Sequence, residues 1–185
     1  QRFLQGEVRK YRWVGVGSSY IPSELVSAFL FGQLEMMDDI TDRRRRKWGY
    51  YYDALEDLER QELLRRPVIP AHCQTNHHMF YILLPSKATR DSLEIAMAYR
   101  GIQAISHFEP LHSSPMGRRY WPHDRKLPIT DSVAGRLLRL PLFYDITQEQ
   151  QAGVVAAIRE HLEGRTGRQE HNGPAVTGAQ QGRSG

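Results

Sequence analysis

The chain has 185 residues, 40% hydrophobic and 25% charged, a size and balance that suit one domain with its own core. The longest apolar run, 26–34, is broken by Ser27, Gly32 and Gln33, so nothing approaches the roughly 18 residues that a membrane span needs. A formal net charge of +4 permits an anionic ligand without demanding nucleic acid, and the single cysteine, Cys73, excludes an intramolecular disulfide and fits a reducing, cytoplasmic setting. The N-terminus carries no signal-peptide pattern, and Gln1 in place of Met is expected to mark a fragment or a processed product.

Residues 1–20 read as loop and short extended pieces. They hold a Gly/Ser stretch, Gly15 to Ser19, that feeds into a helix start, where backbone N–H groups can meet an anion. Pro22, Ser23 and Glu24 open a helix whose apolar positions, Leu25, Phe29, Leu30, Leu34 and Met37, keep helical spacing. Asp38 and Asp39 continue it or begin a second helix, along which Ile40, Trp48, Tyr51, Tyr52, Leu55 and Leu58 form an apolar stripe. Arg43 to Lys47 are five consecutive bases on that stretch. Consecutive helical residues point all around the axis, so they read as a solvated face rather than a nucleic-acid patch.

Leu64 to Ile69 reads as a strand ended by Pro70, and His78 to Leu84 as a central strand. Thr89 to Arg100 reads as a helix capped by Thr89 and stopped by Gly101. A further strand is expected over Ile102 to Phe108, then a long proline-rich loop to Pro128. Thr130 to Leu138 reads as a short helix, and Leu140 to Tyr144 as a buried turn or strand. Thr147 and Gln150 have capping-box spacing at the head of a helix that runs to Leu162 and stops at Gly164. Residues 165–185 lack large apolar groups and read as a disordered tail. Helices first, then strands alternating with helices, predict an α/β layer structure with a small sheet covered by helices.

His72, Cys73, His77 and His78 cluster before the central strand. Neighbouring strand residues point to opposite faces, so no metal site is expected there. His107 and His112 flank Phe108, Glu109, Pro110 and Leu111 where a strand gives way to the long loop. Strand ends of that kind line ligand crevices in α/β proteins, and from spacing alone a ligand site and a plain surface loop weigh equally. There is no P-loop, no G-x-S-x-G and no G-x-G-x-x-G before a helix.

Arg2-Phe3, Lys10-Tyr11, Trp13, Gly17-Ser18-Ser19-Tyr20 and Ser23-Glu24-Leu25 resemble the DegT/StrS-type nucleotide-sugar aminotransferases. So do Trp48, Tyr51, Asn76-x-His78-Met79-Phe80-Tyr81, His107-Phe108-x-Pro110-Leu111-His112 and Arg136 to Tyr144. The likeness covers about residues 2–162 and is nearest to the dTDP-4-amino-4,6-dideoxygalactose transaminase group. Two positions depart from that pattern: Gly15, where the group has Asp, and Glu109, which is expected to face out.

The resemblance implies the C-terminal small domain of a fold-type I, pyridoxal 5'-phosphate (PLP)-dependent transferase. In that reading 1–22 end the large domain with an inter-subunit loop, 23–164 form a helical connector and the small domain, and 165–185 are the tail. The Schiff-base lysine, the pyridinium-nitrogen aspartate and the ring stacker would lie upstream of Gln1, leaving no catalytic residue here. Ser18, Ser19 and Tyr20 would reach the cofactor phosphate of a neighbouring subunit, hence a homodimer. His107 and His112 would line the sugar-nucleotide pocket, with His78 either joining them or serving as a core histidine. The implied reaction moves an amino group from an amino acid, with glutamate the expected donor, to a 4-keto-6-deoxy nucleotide sugar for surface polysaccharide. The alternatives are a sugar dehydratase of the same family and a non-catalytic basic module built on Arg43 to Lys47.

Overall fold

The computed structural model describes residues 21–120 and 126–170, the last six by backbone alone. The chain divides into two units, Gln1–Met37 and Asp38–Gly185. The described part of the first unit is chiefly α1 (Glu24–Glu35). Ser23 caps it, its Oγ accepting from the Val26 N–H at 3.4 Å, and Glu24 adds a carboxylate to the first turn. Leu25, Phe29, Leu30, Phe31 and Leu34 on α1 are all exposed.

The second unit is an α/β layer. It contains most of α2 (Met37–Ala54), then α3 (Glu56–Arg60), β1 (Phe80–Leu83), α4 (Lys87–Tyr99), β2 (Ile105–Ser106), α5 (Pro128–Arg136), β3 (Leu137–Leu140) and α6 (Gln148–Glu170). The sheet is antiparallel in the order β1-β3-β2, so the last strand in sequence is the middle one. Phe80 pairs with Leu140 and Ile82 with Leu138, which puts these four side chains on one face, and all four are buried. Leu93 and Met97 of α4, Val154 and Ile158 of α6, Tyr51 of α2 and Leu55 between α2 and α3 complete that core. The apolar stripe read on α2 is therefore its packing face.

Several elements differ from the sequence reading, each for a local reason. Residues 64–69 form no strand. Arg65 exchanges both backbone hydrogen bonds with Leu83 (2.8 and 2.9 Å), but the next antiparallel pair would need an N–H at position 67, and Pro67 has none. β1 begins at Phe80 rather than at His78, because its partner β3 ends at Leu140, the residue paired with Phe80. The cap of α4 lies three residues before the expected one: Ser86 Oγ accepts from the Thr89 N–H at 3.0 Å, so Ser86 is the cap and the helix starts at Lys87.

The far end of α4 closes as read. Gly101 adopts φ 70°, its N–H bonds the Ala98 carbonyl, and the Ile102 N–H bonds the Met97 carbonyl. The strand expected over 102–108 shrinks to β2, since Ala104 N–H turns back to the Ile102 carbonyl. The long loop contains two 3₁₀ turns, Leu111–Ser113 and Gly117–Arg119. α5 stops at Arg136, and the strand expected from Leu140 onward is instead β3 at 137–140. α6 runs past Gly164 to Glu170, which places 165–170 in a helix rather than in a tail. A mid-helix glycine costs only about 1 kcal/mol, too little to end a helix by itself.

Candidate functional site

Ser18, Ser19 and Tyr20, together with Gly15, lie outside the described residues. The three histidines read as substrate contacts are all described, and they occupy different settings. His78 is exposed before β1, with its Nδ1 2.7 Å from Asn76 Oδ1, so it is not a core histidine. His107 is exposed just after β2, its ring edge-on to Phe108 with centroids 5.1 Å apart. Glu109 is exposed, as expected.

His112 is the most enclosed of the three, its side chain 11% exposed. It lines a cavity of about 500 Å³ with Leu111, Gly117, Tyr120, Leu127 and Thr130. Its Nε2 stands 2.9 Å from Asp131 Oδ1 in the first turn of α5. An imidazole held by a carboxylate keeps one nitrogen committed and its ring oriented. The cavity wall needs Gly117. A Cβ there would stand 1.6 Å from the Leu111 carbonyl oxygen, so the two 3₁₀ turns close on each other only with glycine at that position. His107 and His78 are not among the residues lining this cavity.

A network beneath the segment sets its two ends. At its start, the Ser106 N–H donates to Glu94 Oε1 at 3.3 Å. Glu94 Oε2 accepts from Arg90 Nη1 at 3.0 Å, and Arg90 Nε donates to the Gly135 carbonyl at 3.2 Å. Gly135 belongs to α5, which carries Asp131, so one buried guanidinium links the end of β2 to the helix that holds His112. The sequence reading missed Asp131, Arg90 and Glu94. The i,i+4 spacing of Arg90 and Glu94 on a helix was the available signal; Asp131 left none, because its partner lies 19 positions away in sequence.

Among the described residues no three His, Cys, Asp or Glu side chains are grouped to hold a metal ion, and no helix is long and apolar enough to cross a membrane. The five bases of α2 separate by direction. Arg43 pairs with Asp39 (3.0 Å), Arg45 with Asp42, and Lys47 donates to the backbone carbonyls of Phe143 and Tyr144. Asp39 also accepts from the Tyr144 hydroxyl at 2.6 Å, a bond that with the one from Arg43 holds its carboxyl below the usual carboxylate range.

The profile of the DegT/DnrJ/EryC1/StrS aminotransferase family matches residues 3–159. A dTDP-3-amino-3,4,6-trideoxy-alpha-D-glucose transaminase of Micromonospora megalomicea subsp. nigra is 27% identical over 76% of this chain and 37% of its own length. A pleiotropic regulatory protein of Geobacillus stearothermophilus is 26% identical over 85% of this chain and 41% of its own. The crystal structure of S. venezuelae DesV in complex with a ketimine intermediate matches with a TM-score of 0.72 and 26% identity, covering 84% of this chain and 40% of that one. The chain thus spans about two fifths of the length of these relatives.

Proposed function

The chain belongs to the DegT/DnrJ/EryC1/StrS aminotransferase family, and from that premise we propose that it forms part of a PLP-dependent enzyme moving an amino group from an amino acid, glutamate the expected donor, to a 4-keto-6-deoxy nucleotide sugar. The observation that carries the reading is the family match from residue 3 to residue 159, across the segment that holds His112 in its cavity. PLP, when bound, carries the amino group and acts as the electron sink. Of the lysines among the described residues, Lys47 is bonded to backbone carbonyls, Lys87 to Asp91 at 2.5 Å, and Lys126 is exposed. In this reading the chain has no activity alone. Ser18, Ser19 and Tyr20 serve the cofactor phosphate across a homodimer, and the Schiff-base lysine belongs to the rest of the enzyme.

What this chain supplies is substrate orientation. His112, fixed by Asp131, orients its imidazole toward sugar hydroxyls or diphosphate oxygens in this reading, while His107 and His78 are exposed and line no part of that cavity. The basic-module reading has less support, because three of its five bases are committed to Asp39, Asp42 and the 143–144 carbonyls.

The test is made on the complete enzyme, with the adjoining sequence restored. Expected are the visible absorbance of bound PLP, its change on adding an amino donor, and recovery with a 4-keto-6-deoxy nucleotide sugar. A complete enzyme that binds no PLP refutes the reading. One that binds PLP but eliminates water from the sugar without transferring nitrogen establishes the dehydratase instead.

A further inference from the structure

A cavity of about 520 Å³ at the end of β1 has no part in the aminotransferase reading and shares no lining residue with the cavity of His112. Hydrogen bonds on both sides of the strand fix its backbone frame. Leu83 exchanges both backbone bonds with Arg65, at 2.8 and 2.9 Å, and the Leu84 N–H donates to the Arg136 carbonyl at 3.0 Å. With neighbouring strands about 4.8 Å apart, the backbones of Arg65 and Arg136 stand about 10 Å apart across β1, a gap that two arginine side chains can span to one ligand. Both residues line the cavity, and so does Glu62. Glu62 follows α3 with φ 59°, a left-handed conformation that glutamate adopts rarely.

The charged groups of the wall divide into committed and free. Glu59 accepts from the Arg66 N–H at 2.7 Å and from Arg66 Nε at 2.6 Å. Arg136 gives only its Nε, to the Ser132 carbonyl at 3.3 Å. The side chains of Arg65 and Glu62 have no hydrogen bond or ion pair among the described residues. Two guanidiniums and one carboxylate are therefore open to a ligand. Leu64 and Leu84, each 1% exposed, give the same cavity an apolar lining. A phosphate-type dianion would be drawn to the arginines and repelled by Glu62. A zwitterion matches both signs, because guanidinium forks take a carboxylate and a carboxylate takes an ammonium. The apolar lining suits an aliphatic side chain.

We propose that this cavity is a binding site for a free aliphatic α-amino acid, with its carboxylate on Arg65 and Arg136, its ammonium on Glu62 and its side chain against Leu64 and Leu84. Arg136 ends α5, whose first turn holds Asp131 against His112, so the ligand sits at one end of the helix that orients that ring. The site needs no residue outside the described ones and stands independently of the aminotransferase reading.

The experiment titrates the 185-residue chain with L-leucine at constant ionic strength and follows its backbone amide ¹⁵N resonances. Saturable shifts are expected at Leu83 and Leu84, half complete by about 1 mM. Leucinamide, which lacks the carboxylate, and 4-methylpentanoate, which lacks the ammonium, should each bind about tenfold or more weakly. Leucine should weaken as much in Arg65→Gln and in Glu62→Gln, both at exposed positions, and bind unchanged in Arg119→Gln on the second 3₁₀ turn. Should a variant melt early, the two analogues test the same contacts on the unaltered chain. No saturable shift by about 10 mM leucine, undiminished binding of either analogue, leucine binding that survives Arg65→Gln or Glu62→Gln, or displacement of leucine by an equal concentration of inorganic phosphate overturns the proposal.

Discussion

Tyr51 is fully buried on α2, and its hydroxyl donates to the Pro141 carbonyl at 2.9 Å, fastening that helix to the chain that leaves β3. Burial pushes its phenol pKa up, so it stays a neutral donor through the physiological range. Tyr51→Phe keeps the ring packed on Phe80 and strips a part-buried carbonyl of its donor; a loss of about 1–2 kcal/mol is expected in urea unfolding, with the slope unchanged. In the proposed enzyme, His112→Ala should raise KM for the nucleotide sugar about tenfold or more while leaving the amino-donor half-reaction near wild type. Asp131→Asn should do so by less, since the amide still accepts from the ring. Steady-state kinetics of both half-reactions decide this, and an effect on kcat alone would remove His112 from substrate binding. His112 was readable as a candidate through the family resemblance of its segment, since from spacing alone a ligand site and a plain surface loop weighed equally. Its partner was not, because an aspartate in the first turn of a helix looks like ordinary dipole compensation until the fold sets it beside a ring.

The helices owe their ends to short-range chemistry. Thr147 Oγ1 accepts from the Gln150 N–H at 3.1 Å while Gln150 Oε1 accepts from the Thr147 N–H at 2.9 Å, the reciprocal box its spacing predicted. Thr147→Ala should cost about 1 kcal/mol, read by thermal or urea unfolding. At the other end of α4, Gly101→Ala meets open space but a left-handed backbone, so a loss of about 1–2 kcal/mol is expected from strain alone. α3 is tied to α6 by Asp57, which accepts from Arg159 Nη2 at 3.0 Å. That guanidinium holds the Asp57 pKa below the ordinary carboxylate value. A carboxyl with a lowered folded pKa stabilises the fold above its unfolded pKa, near 4, and loses that contribution as the pH falls through the folded value. Melting temperature should therefore drop on acidification below about pH 4, and Asp57→Asn should flatten that drop. Both side chains are more than a third exposed, so high salt should shrink the difference.

At the scale of the molecule, the decisive choice is which strand sits in the middle. β3 takes that place and Leu138 is its fully buried core residue, so Leu138→Ala should cost about 2–5 kcal/mol through lost burial and a cavity. Loss of cooperative unfolding in that variant would show that the sheet is the common support of the helices around it. The sequence by itself determined the main helices, the ends at Ser23, Gly101 and Thr147, the α/β class and the family, because periodicity, capping and motif order are written within a few residues or in a fixed succession. It misjudged the extended segments, since a strand exists only where a partner offers hydrogen bonds. Pro67 ends one pairing after Arg65, and the turn at Ala104 shortens β2. Only the tertiary structure decided that His112 meets Asp131, that Arg90 and Glu94 brace the same segment, and that His77 packs edge-on against Trp48. Those pairings depend on distances between side chains remote in sequence, and packing around the core sets such distances where local propensity cannot.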